Sequence, residues 1–209
     1  MQLTSSCFAL NHKIPAENAF CIPDPASHVK LALNRNPDLS WSDLPKGVKS
    51  LVLVCHDPDV PSLPDDVNQE GRIVPAHLSR VDFYHWLLVD LAPDAVPIRK
   101  GEFSDGVTPR GKKGPAAPRG TRQGINDYTG WFKNDKDMSG NYFGYDGPCP
   151  PWNDSLLHHY IFTLYALDIV KCPVQGYFTG DEVLKAISGH SLAKAYLTGV
   201  YTLNPAVKL

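Results

Sequence analysis

Long hydrophobic runs and an excess of either charge are both missing from this sequence. No window approaches the roughly 18 consecutive apolar residues that a membrane-spanning helix needs. The formal net charge is only −2, so we expect no bulk electrostatic attraction to nucleic acid or to an anionic membrane. The N-terminal residues lack a basic start and a continuous apolar core, so we expect no secretory signal and a cytoplasmic location.

Cysteine is scarce, and its spacing gives no recognisable motif. The five cysteines are Cys7, Cys21, Cys55, Cys149 and Cys172, and no two of them form a C-x-x-C pair. An odd number of widely spaced cysteines argues against a disulfide framework and against a structural zinc site. We therefore expect five reduced thiols, no metal and no cofactor.

Compact catalytic motifs are missing as well. The sequence contains neither the G-x-S-x-G turn of many serine hydrolases nor the H-E-x-x-H pattern of zinc proteases. These absences favour a binding protein over an enzyme. They leave open an enzyme whose acid–base groups come together only in the folded chain.

Proline and glycine are frequent, with 19 and 16 residues, and leave little room for long helices. Short runs rich in β-branched and aromatic residues predict four strands, at 50–56, 83–91, 158–168 and 195–203. The segment 179–192 predicts a helix, because Thr179 and Glu182 form a capping box ahead of apolar residues at helical spacing. The sequence therefore predicts a mainly β fold and one domain over residues 1–209.

Two long segments interrupt the predicted strands, at 62–80 and 99–143, and we expect both to be loop inserts. The second contains a basic run at 110–122 with five cations and no acid. Its composition favours a flexible, solvated loop, and the alternative is a loop that attracts phosphate or contacts a partner. The aromatic segment 124–132 is expected to pack back onto the body of the protein.

Titratable residues cluster at the ends of the predicted strands. Asp57 and Asp59 follow the first strand, and Pro58 between them would hold both carboxylates toward one pocket. The alternative is that each aspartate closes a turn, since Asp-Pro often opens one. His85 lies in a very apolar strand and gains functional interest only if a carboxylate reaches it.

A stiff loop and a polar strand entrance complete the pattern. Residues 147–151 read Gly-Pro-Cys-Pro-Pro, where Gly147 would allow a ligand to approach the backbone closely. His158 and Tyr160 then share one face of the third strand, and that face continues into the apolar core. The sequence thus predicts a pocket that combines carboxylates, imidazoles and a phenol.

These motifs resemble the phosphatidylethanolamine-binding protein family, most closely its bacterial Raf-kinase-inhibitor-like branch. The D-P-D-x-P motif stands at 57–61, and the histidine followed by aliphatic residues at 85–89. The G-P-C-P-P and H-x-Y motifs stand at 147–151 and 158–160. The resemblance covers about residues 1–205, and the ordered set of motifs is more specific than any one of them.

The resemblance implies two antiparallel sheets with Greek-key connections, a few short helices and a pocket for phosphate-like anions, including phosphorylated head groups. Bacterial members are often homodimers. The pocket residues carried over by the resemblance are Asp57, Asp59, His85, Gly147, His158 and Tyr160. We add Pro148 of the stiff loop, and Trp152, which lies where the sequence departs from the family pattern and is expected to narrow the pocket.

In such a pocket, an aspartate would accept a hydrogen bond from one imidazole and keep that ring a donor toward the anion. His85 and His158 would present N–H groups to the ligand, helped by Tyr160 and a backbone N–H near Gly147. We therefore expect a regulatory small-anion-binding protein. The first alternative is a hydrolase that acts on a phosphoester or carbonyl through the same Asp/His/Tyr pocket. The others are a Cys149 nucleophile paired with His158, a metal site formed by His85, His158 and an aspartate, and a protein that binds a partner at the pocket rim.

Overall fold

The computed structural model describes residues 1–208, and strands dominate its backbone. The strands in these residues are β1 (Gln2–Thr4), β2 (His12–Lys13), β3 (Cys21–Asp24), β4 (His28–Leu31), β5 (Ser40–Ser42), β6 (Ser50–Pro61), β7 (Arg80–Leu91), β8 (Arg122–Gln123), β9 (His158–Leu167) and β10 (Ser191–Tyr201). Two α-helices, α1 and α2, occupy Tyr128–Trp131 and Gly180–Ala186, and 3₁₀ turns occupy Ala16–Asn18 and Pro118–Gly120. The prediction of a mainly β fold is confirmed. Over these residues, neither α-helix has the length and apolar character to cross a membrane.

Six strands form the central sheet, in the order β2-β10-β9-β6-β7-β8. Neighbouring strands are antiparallel, except that β2 runs parallel to β10. The four predicted strands are its four long strands, and β6 and β9 lie at its centre because they are apolar on both faces. The remaining strands form two separate pairs, β1 with β5 and β3 with β4, and not a second continuous sheet.

Each face of the central sheet has its own apolar core. On the face that we call the inner face, Leu53, Trp86 and Phe162 pack in one cluster with side chains from the small strand pairs and the second insert. On the opposite face, Val54 packs in a second cluster with Val183 of α2. Burying a side chain of this size stabilises the fold by about 1.5–3 kcal/mol, so both faces contribute to stability.

Helix α2 is shorter than the sequence predicts. The capping box is present, and Glu182 accepts a hydrogen bond from the Thr179 backbone N–H at 2.8 Å. The helix nevertheless ends at Ala186, and Gly189 adopts a φ of 84° as the chain turns into β10. Leu192 lies in β10 and is 44% exposed. The prediction that the helix extends to 192 is wrong, because this left-handed glycine redirects the chain.

The basic run at 110–122 is anchored to the body of the protein. Three of its cations contact carboxylates elsewhere in the chain, each at 2.6 Å: Lys112–Asp146, Arg119–Glu102 and Arg122–Asp90. These side chains are at most 19% exposed, so the ion pairs are largely shielded from water. Fewer of the five positive charges of this run are therefore available to a binding partner than the sequence suggested.

Two of the five cysteines are paired, so the prediction of five reduced thiols is wrong. Cys21 at the start of β3 and Cys149 in the Gly-Pro-Cys-Pro-Pro loop form a disulfide. They are 128 residues apart in sequence, but their Cα atoms lie only 4.9 Å apart. Sequence spacing could not reveal this pairing, because only the fold brings the two residues within disulfide reach.

Candidate functional site

A cavity of about 350 Å³ opens on the inner face, near the point where β6 ends and β9 begins. Its polar floor consists of Asp57 from β6, His85 from β7, and His158 and Tyr160 from β9. These four side chains are deeply buried, with at most 3% of each residue exposed. The structure therefore brings together four of the residues that the sequence placed at the ends of separate strands.

A β-bulge places His85 on this floor. The β6–β7 ladder pairs Cys55 with Trp86 and His56 with Tyr84, which leaves His85 as an extra residue on β7. An extra residue interrupts the alternation of side chains along a strand. As a result, His85 and Trp86 both lie on the inner face, although they are adjacent in sequence.

The two ring nitrogens of His85 have different environments. Nδ1 lies 2.7 Å from the backbone carbonyl oxygen of Asp146, which can only accept, so Nδ1 carries the proton. Nε2 forms no hydrogen bond with any residue from 1 to 208. Burial lowers the pKa of His85 to about 4, so the ring is neutral near neutral pH. Nε2 is then left as an acceptor at the cavity.

The carbonyl that orients His85 belongs to a fixed residue. The buried Asp146 carboxylate accepts hydrogen bonds from the Asn34 and Asn126 amides at 2.7 and 2.8 Å, and from Lys112 at 2.6 Å. Burial nevertheless raises the pKa of Asp146. Lys112 of the basic run thus contacts the site through Asp146. It helps to hold this residue, whose carbonyl oxygen determines the tautomer of His85.

His158 lies between two carboxylates. Its Nδ1 is 2.7 Å from Asp57 and its Nε2 is 3.1 Å from Asp154. Burial disfavours a charged ring, but Asp57 and then Asp154 outweigh burial and raise the pKa of His158 to about 9. A protonated His158 can donate to both carboxylates at once.

This part of the floor is electrically balanced. Arg80 donates to Asp154 at 2.5 and 3.1 Å, so two cations offset two carboxylates when His158 is protonated. Because both His158 nitrogens are occupied, neither N–H is left for a ligand. The expectation that His158 donates to a bound anion is therefore wrong, and its observed contacts hold the carboxylate of Asp57 in place.

Asp59 points away from the cavity. Its backbone N–H donates to the Asp57 carboxylate at 2.8 Å, and the β6–β7 register is irregular between Asp57 and Val60. The Asp59 side chain instead accepts hydrogen bonds from the backbone and the ring of His159, at 2.9 and 2.8 Å. The prediction that both aspartates face one pocket is wrong, because the hydrogen bond from the Asp59 N–H to Asp57 and the irregular β6–β7 register disrupt the regular strand geometry expected around Pro58.

Gly147 and Pro148 lie behind the cavity wall and do not line it. The Gly147 N–H donates to the Asn34 side chain at 2.8 Å, and the Pro148 carbonyl accepts from the Phe20 N–H at 2.9 Å. A Cβ atom at position 147 would lie 2.1 Å from the Asn18 carbonyl oxygen. Close backbone packing therefore requires glycine at position 147. The sequence had instead suggested that this glycine lets a ligand approach the backbone.

Trp152 is likewise outside the cavity lining. Its ring stacks on the imidazole of His28, with centroids 3.8 Å apart and planes inclined by 8°. Its backbone N–H donates to the Asn68 side chain at 3.0 Å, and Asn68 does line the cavity. Trp152 therefore helps to anchor the first insert, and the expected narrowing by its own ring is not observed.

The walls of the cavity are the part that sequence reasoning missed. They are mainly apolar, and both inserts contribute. The lining residues from the inserts are Pro64, Val67 and Asn68, then Tyr128, Trp131, Phe132 and Met138. The rest of the wall includes the disulfide cysteines, residues of β3–β4, and further apolar residues: Phe20, Val60, Pro61, Phe83, Pro150 and Pro151. The one available signal was the aromatic segment 124–132, which packs back as expected, with Tyr128 only 4% exposed.

Two features bear on the enzymatic alternatives. The Cys149 sulfur is bonded to Cys21, so it is not available as a thiolate nucleophile. Within residues 1–208, no group of three or more histidine, cysteine or acidic side chains is arranged to hold a metal ion.

The sequence model of the phosphatidylethanolamine-binding protein family matches residues 4–202. The chain belongs to this family. Similar proteins include the UPF0098 protein of Methanothermobacter thermautotrophicus, which is 35% identical over 168 residues, or 80% of this chain and 83% of that one. The UPF0098 protein of Chlamydia trachomatis is 30% identical over 201 residues, or 96% of this chain and 98% of that one.

Solved structures of the phosphatidylethanolamine-binding protein family share the fold. A family homologue from Chlamydia trachomatis superposes with a TM-score of 0.63 at 29% identity, and the match covers 96% of this chain and 95% of that chain. Escherichia coli YbcL, described as a new member of the mammalian family, gives a TM-score of 0.66 at 25% identity, with 96% and 97% covered. The resemblance inferred from the sequence motifs is therefore confirmed.

Proposed function

We propose that this protein binds a small anion, phosphate or a phosphorylated head group, on the polar floor of the cavity. The observation that carries the proposal is the buried His85 ring, which is fixed through Nδ1 and leaves Nε2 free at the cavity. Membership of the family supports the proposal by analogy. A regulatory role, a homodimer and a cytoplasmic location remain predictions from the family resemblance and the sequence.

Binding at Nε2 must involve a proton. A neutral ring cannot donate from Nε2, whereas a charged ring forms a short, charge-assisted hydrogen bond with an anion. A nearby negative charge favours the imidazolium and would raise the His85 pKa from about 4. A protonated phosphate oxygen could instead donate to Nε2. Both routes predict that affinity increases as pH falls.

The other residues of the floor are compatible with a bound anion, although Asp57 carries a negative charge. The Asp57 carboxylate is offset by His158, which reduces its repulsion of a ligand. Burial and the proximity of Asp57 raise the pKa of Tyr160 well above its usual range, so its hydroxyl stays protonated. Tyr160 therefore supplies a neutral hydrogen-bonding group beside His85.

A hydrolase in the same cavity is less well supported. Both nitrogens of His158 are occupied, and the pKa of about 4 makes His85 a weak general base near neutral pH. The nucleophile that the sequence offered, Cys149, is held in the disulfide. We therefore favour binding without turnover.

Calorimetric titration with phosphate, O-phosphorylethanolamine and sulfate tests the proposal between pH 5 and 8. Sulfate keeps its charge over this range, so any pH dependence of its affinity reports on the protein. We expect saturable binding with proton uptake that strengthens toward pH 5 and is lost in His85→Ala. His190→Ala, which changes a half-exposed histidine of a surface pair, is the matched control and should bind normally. A sulfate affinity that is flat across this range, or that survives His85→Ala, would contradict the proposal.

A further inference from the structure

We propose that the Cys21–Cys149 disulfide is a redox-sensitive clamp on the cavity wall, which small thiols open and small disulfides close. The segment that it clamps is the β3–β4 hairpin, residues 21–31. While the bond is intact, the hairpin is fixed to the Gly-Pro-Cys-Pro-Pro loop; when the bond is reduced, the hairpin moves away and widens the cavity. This inference goes beyond the proposed function and does not depend on it, because chain segments alone define the clamp.

The hairpin is a wall of the cavity and also a weakly attached element. Its residues Cys21, Val29 and Leu31 line the cavity, although Leu31 remains 55% exposed. β3 and β4 pair only with each other and not with the central sheet. A hairpin of two strands is marginally stable in water by itself. The position of this wall therefore depends on the contacts that the hairpin forms with other segments.

These contacts are few beyond the first residue of β3. From Ile22 to Leu31, one hydrogen bond links the hairpin to another part of residues 1–208, from His28 Nε2 to the Glu70 carboxylate at 2.5 Å. The two side chains are 42% and 81% exposed, so water screens this contact. The His28 ring also stacks on Trp152. Apart from these contacts at its tip and the partly buried Val29, the hairpin is free to move.

The base of the hairpin is held more firmly, and the disulfide lies there. The N–H groups of Phe20 and Cys21 both donate to the Pro148 carbonyl oxygen, at 2.9 and 3.1 Å. The Tyr201 hydroxyl donates to the Cys21 carbonyl oxygen at 2.9 Å. Reduction breaks the covalent link to Cys149 but leaves these hydrogen bonds. We therefore expect the hairpin to pivot about its base while the body of the protein stays folded.

The disulfide can be reached from the cavity. Both cysteines line it, and Cys149 is partly exposed, whereas Cys21 is only 5% exposed. A small thiolate attacks the Cys149 sulfur, forms a mixed disulfide and releases Cys21 as a thiolate, which takes up a proton. A second small thiolate then releases Cys149 in the same way. The protein gains two electrons and two protons, and the two small thiols leave as one disulfide. Oxidised glutathione, a small disulfide, drives the reverse reaction.

The other cysteines do not take part in this exchange. Cys7, Cys55 and Cys172 are free thiols, and none of them lines the cavity. Burial raises the pKa of each, and the thiolate is the form that attacks a disulfide. The state of the clamp is therefore set by thiols outside the protein. We expect the open form in a thiol-rich compartment and the closed form under oxidising conditions.

Hydrogen–deuterium exchange followed by mass spectrometry tests the clamp without any ligand. In protein treated with oxidised glutathione, an alkylating reagent should leave Cys21 and Cys149 unlabelled. After treatment with reduced glutathione, we expect the amides of residues 22–31 to exchange about ten-fold or more faster. The β1–β5 pair is the internal control and should not change. Trypsin should cleave after Lys30 only in the reduced protein, and oxidised glutathione should reverse both effects.

Variants assign these effects to the disulfide. The double variant Cys21→Ser/Cys149→Ser cannot form the bond, so its hairpin should exchange rapidly with or without reduced glutathione. Cys7→Ser is the matched control, because Cys7 is a partly buried free thiol outside the cavity lining, and its hairpin should still respond. The comparison of oxidised and reduced protein needs no substitution, so it decides the question even if the double variant does not fold.

Three outcomes would overturn the inference. Alkylation of Cys21 and Cys149 after treatment with oxidised glutathione would show that the bond does not form. Hairpin exchange that is unchanged by reduction would show that the bond is a static link. Faster exchange throughout the central sheet would show that the bond stabilises the whole fold. Because none of these measurements includes an anion, they are independent of the calorimetric test of the proposed function.

Discussion

Two aspartate–histidine pairs join β6 to β9 side by side. The Asp57–His158 contact is 2.7 Å long and the Asp59–His159 contact is 2.8 Å, so distance does not distinguish them. The two pairs differ in the solvent exposure of their side chains. The inner histidine and aspartate side chains are 0% and 1% exposed, whereas the outer ones are 45% and 23% exposed.

This difference in burial gives the two pairs different roles. Exposed ion pairs contribute about 0–1 kcal/mol, because water and salt screen the charges and the side chains lose freedom. Removing one partner of a buried pair costs about 3–5 kcal/mol, because the other charge is left without compensation. The inner pair is thus part of the framework of the cavity floor, while the outer pair lies on the surface of the same motif.

The largest expected effect comes from breaking the inner pair. We expect Asp57→Asn to lower the free energy of unfolding at pH 7 by about 3–5 kcal/mol, because a buried, protonated His158 loses one of its two carboxylates. Urea denaturation followed by tryptophan fluorescence measures the change. Asp168→Asn is a suitable control, since Asp168 pairs with His190 at a half-exposed site. A loss no larger than that of the control would show that the inner pair carries little stability.

The inner pair and its neighbours were accessible to sequence reasoning because the signals are local. Apolar runs fixed the central strands, and the position of Asp57, His85 and His158 near their ends predicted that these side chains meet. Tyr160 followed from the two-residue period of β9. The family motifs identified the same positions, and the structure places them on one floor.

The rest of the site depends on irregularities that a strand pattern does not contain. A bulge turns His85 inward, and the irregular register after Asp57 directs Asp59 outward. The Cys21–Cys149 disulfide and the apolar walls require segments far apart in sequence to meet. The sequence also could not predict that both nitrogens of His158 contact carboxylates, because the second carboxylate, Asp154, comes from the preceding loop.

The next effect is smaller and concerns pH. The pKa of His158 is raised from 6.5 to about 9, so its stabilisation is complete below pH 6.5 and is lost as pH rises through 9. The pKa of His85 is lowered from 6.5 to about 4, so its neutral form stabilises the fold above pH 6.5 and this contribution is lost as pH falls toward 4. These two groups together predict maximal stability near pH 6.5.

Urea denaturation across pH 4 to 10 tests this expectation. Each limb should fall by about 3 kcal/mol from these groups, since each pKa shifts by about 2.5 units and one unit corresponds to about 1.4 kcal/mol. In Asp57→Asn, the decline on the alkaline side should be much reduced, because the main source of the raised His158 pKa is removed. In His85→Phe, the decline on the acid side should be reduced instead. An alkaline limb that is unchanged in Asp57→Asn would contradict the assignment to His158.

The smallest effect is expected at the outer pair. A double-mutant cycle of Asp59→Asn and His159→Ala should give a coupling energy of about 0–1 kcal/mol, because both side chains contact water. Raising the salt concentration from about 0.1 M to 1 M should reduce this coupling, since the Debye length falls from about 10 Å to 3 Å. The effect of Asp57→Asn should change much less with salt, because solvent ions do not reach a buried pair. An outer coupling above about 2 kcal/mol, or one that is insensitive to salt, would mean that burial does not separate the two pairs and that both belong to the framework of the site.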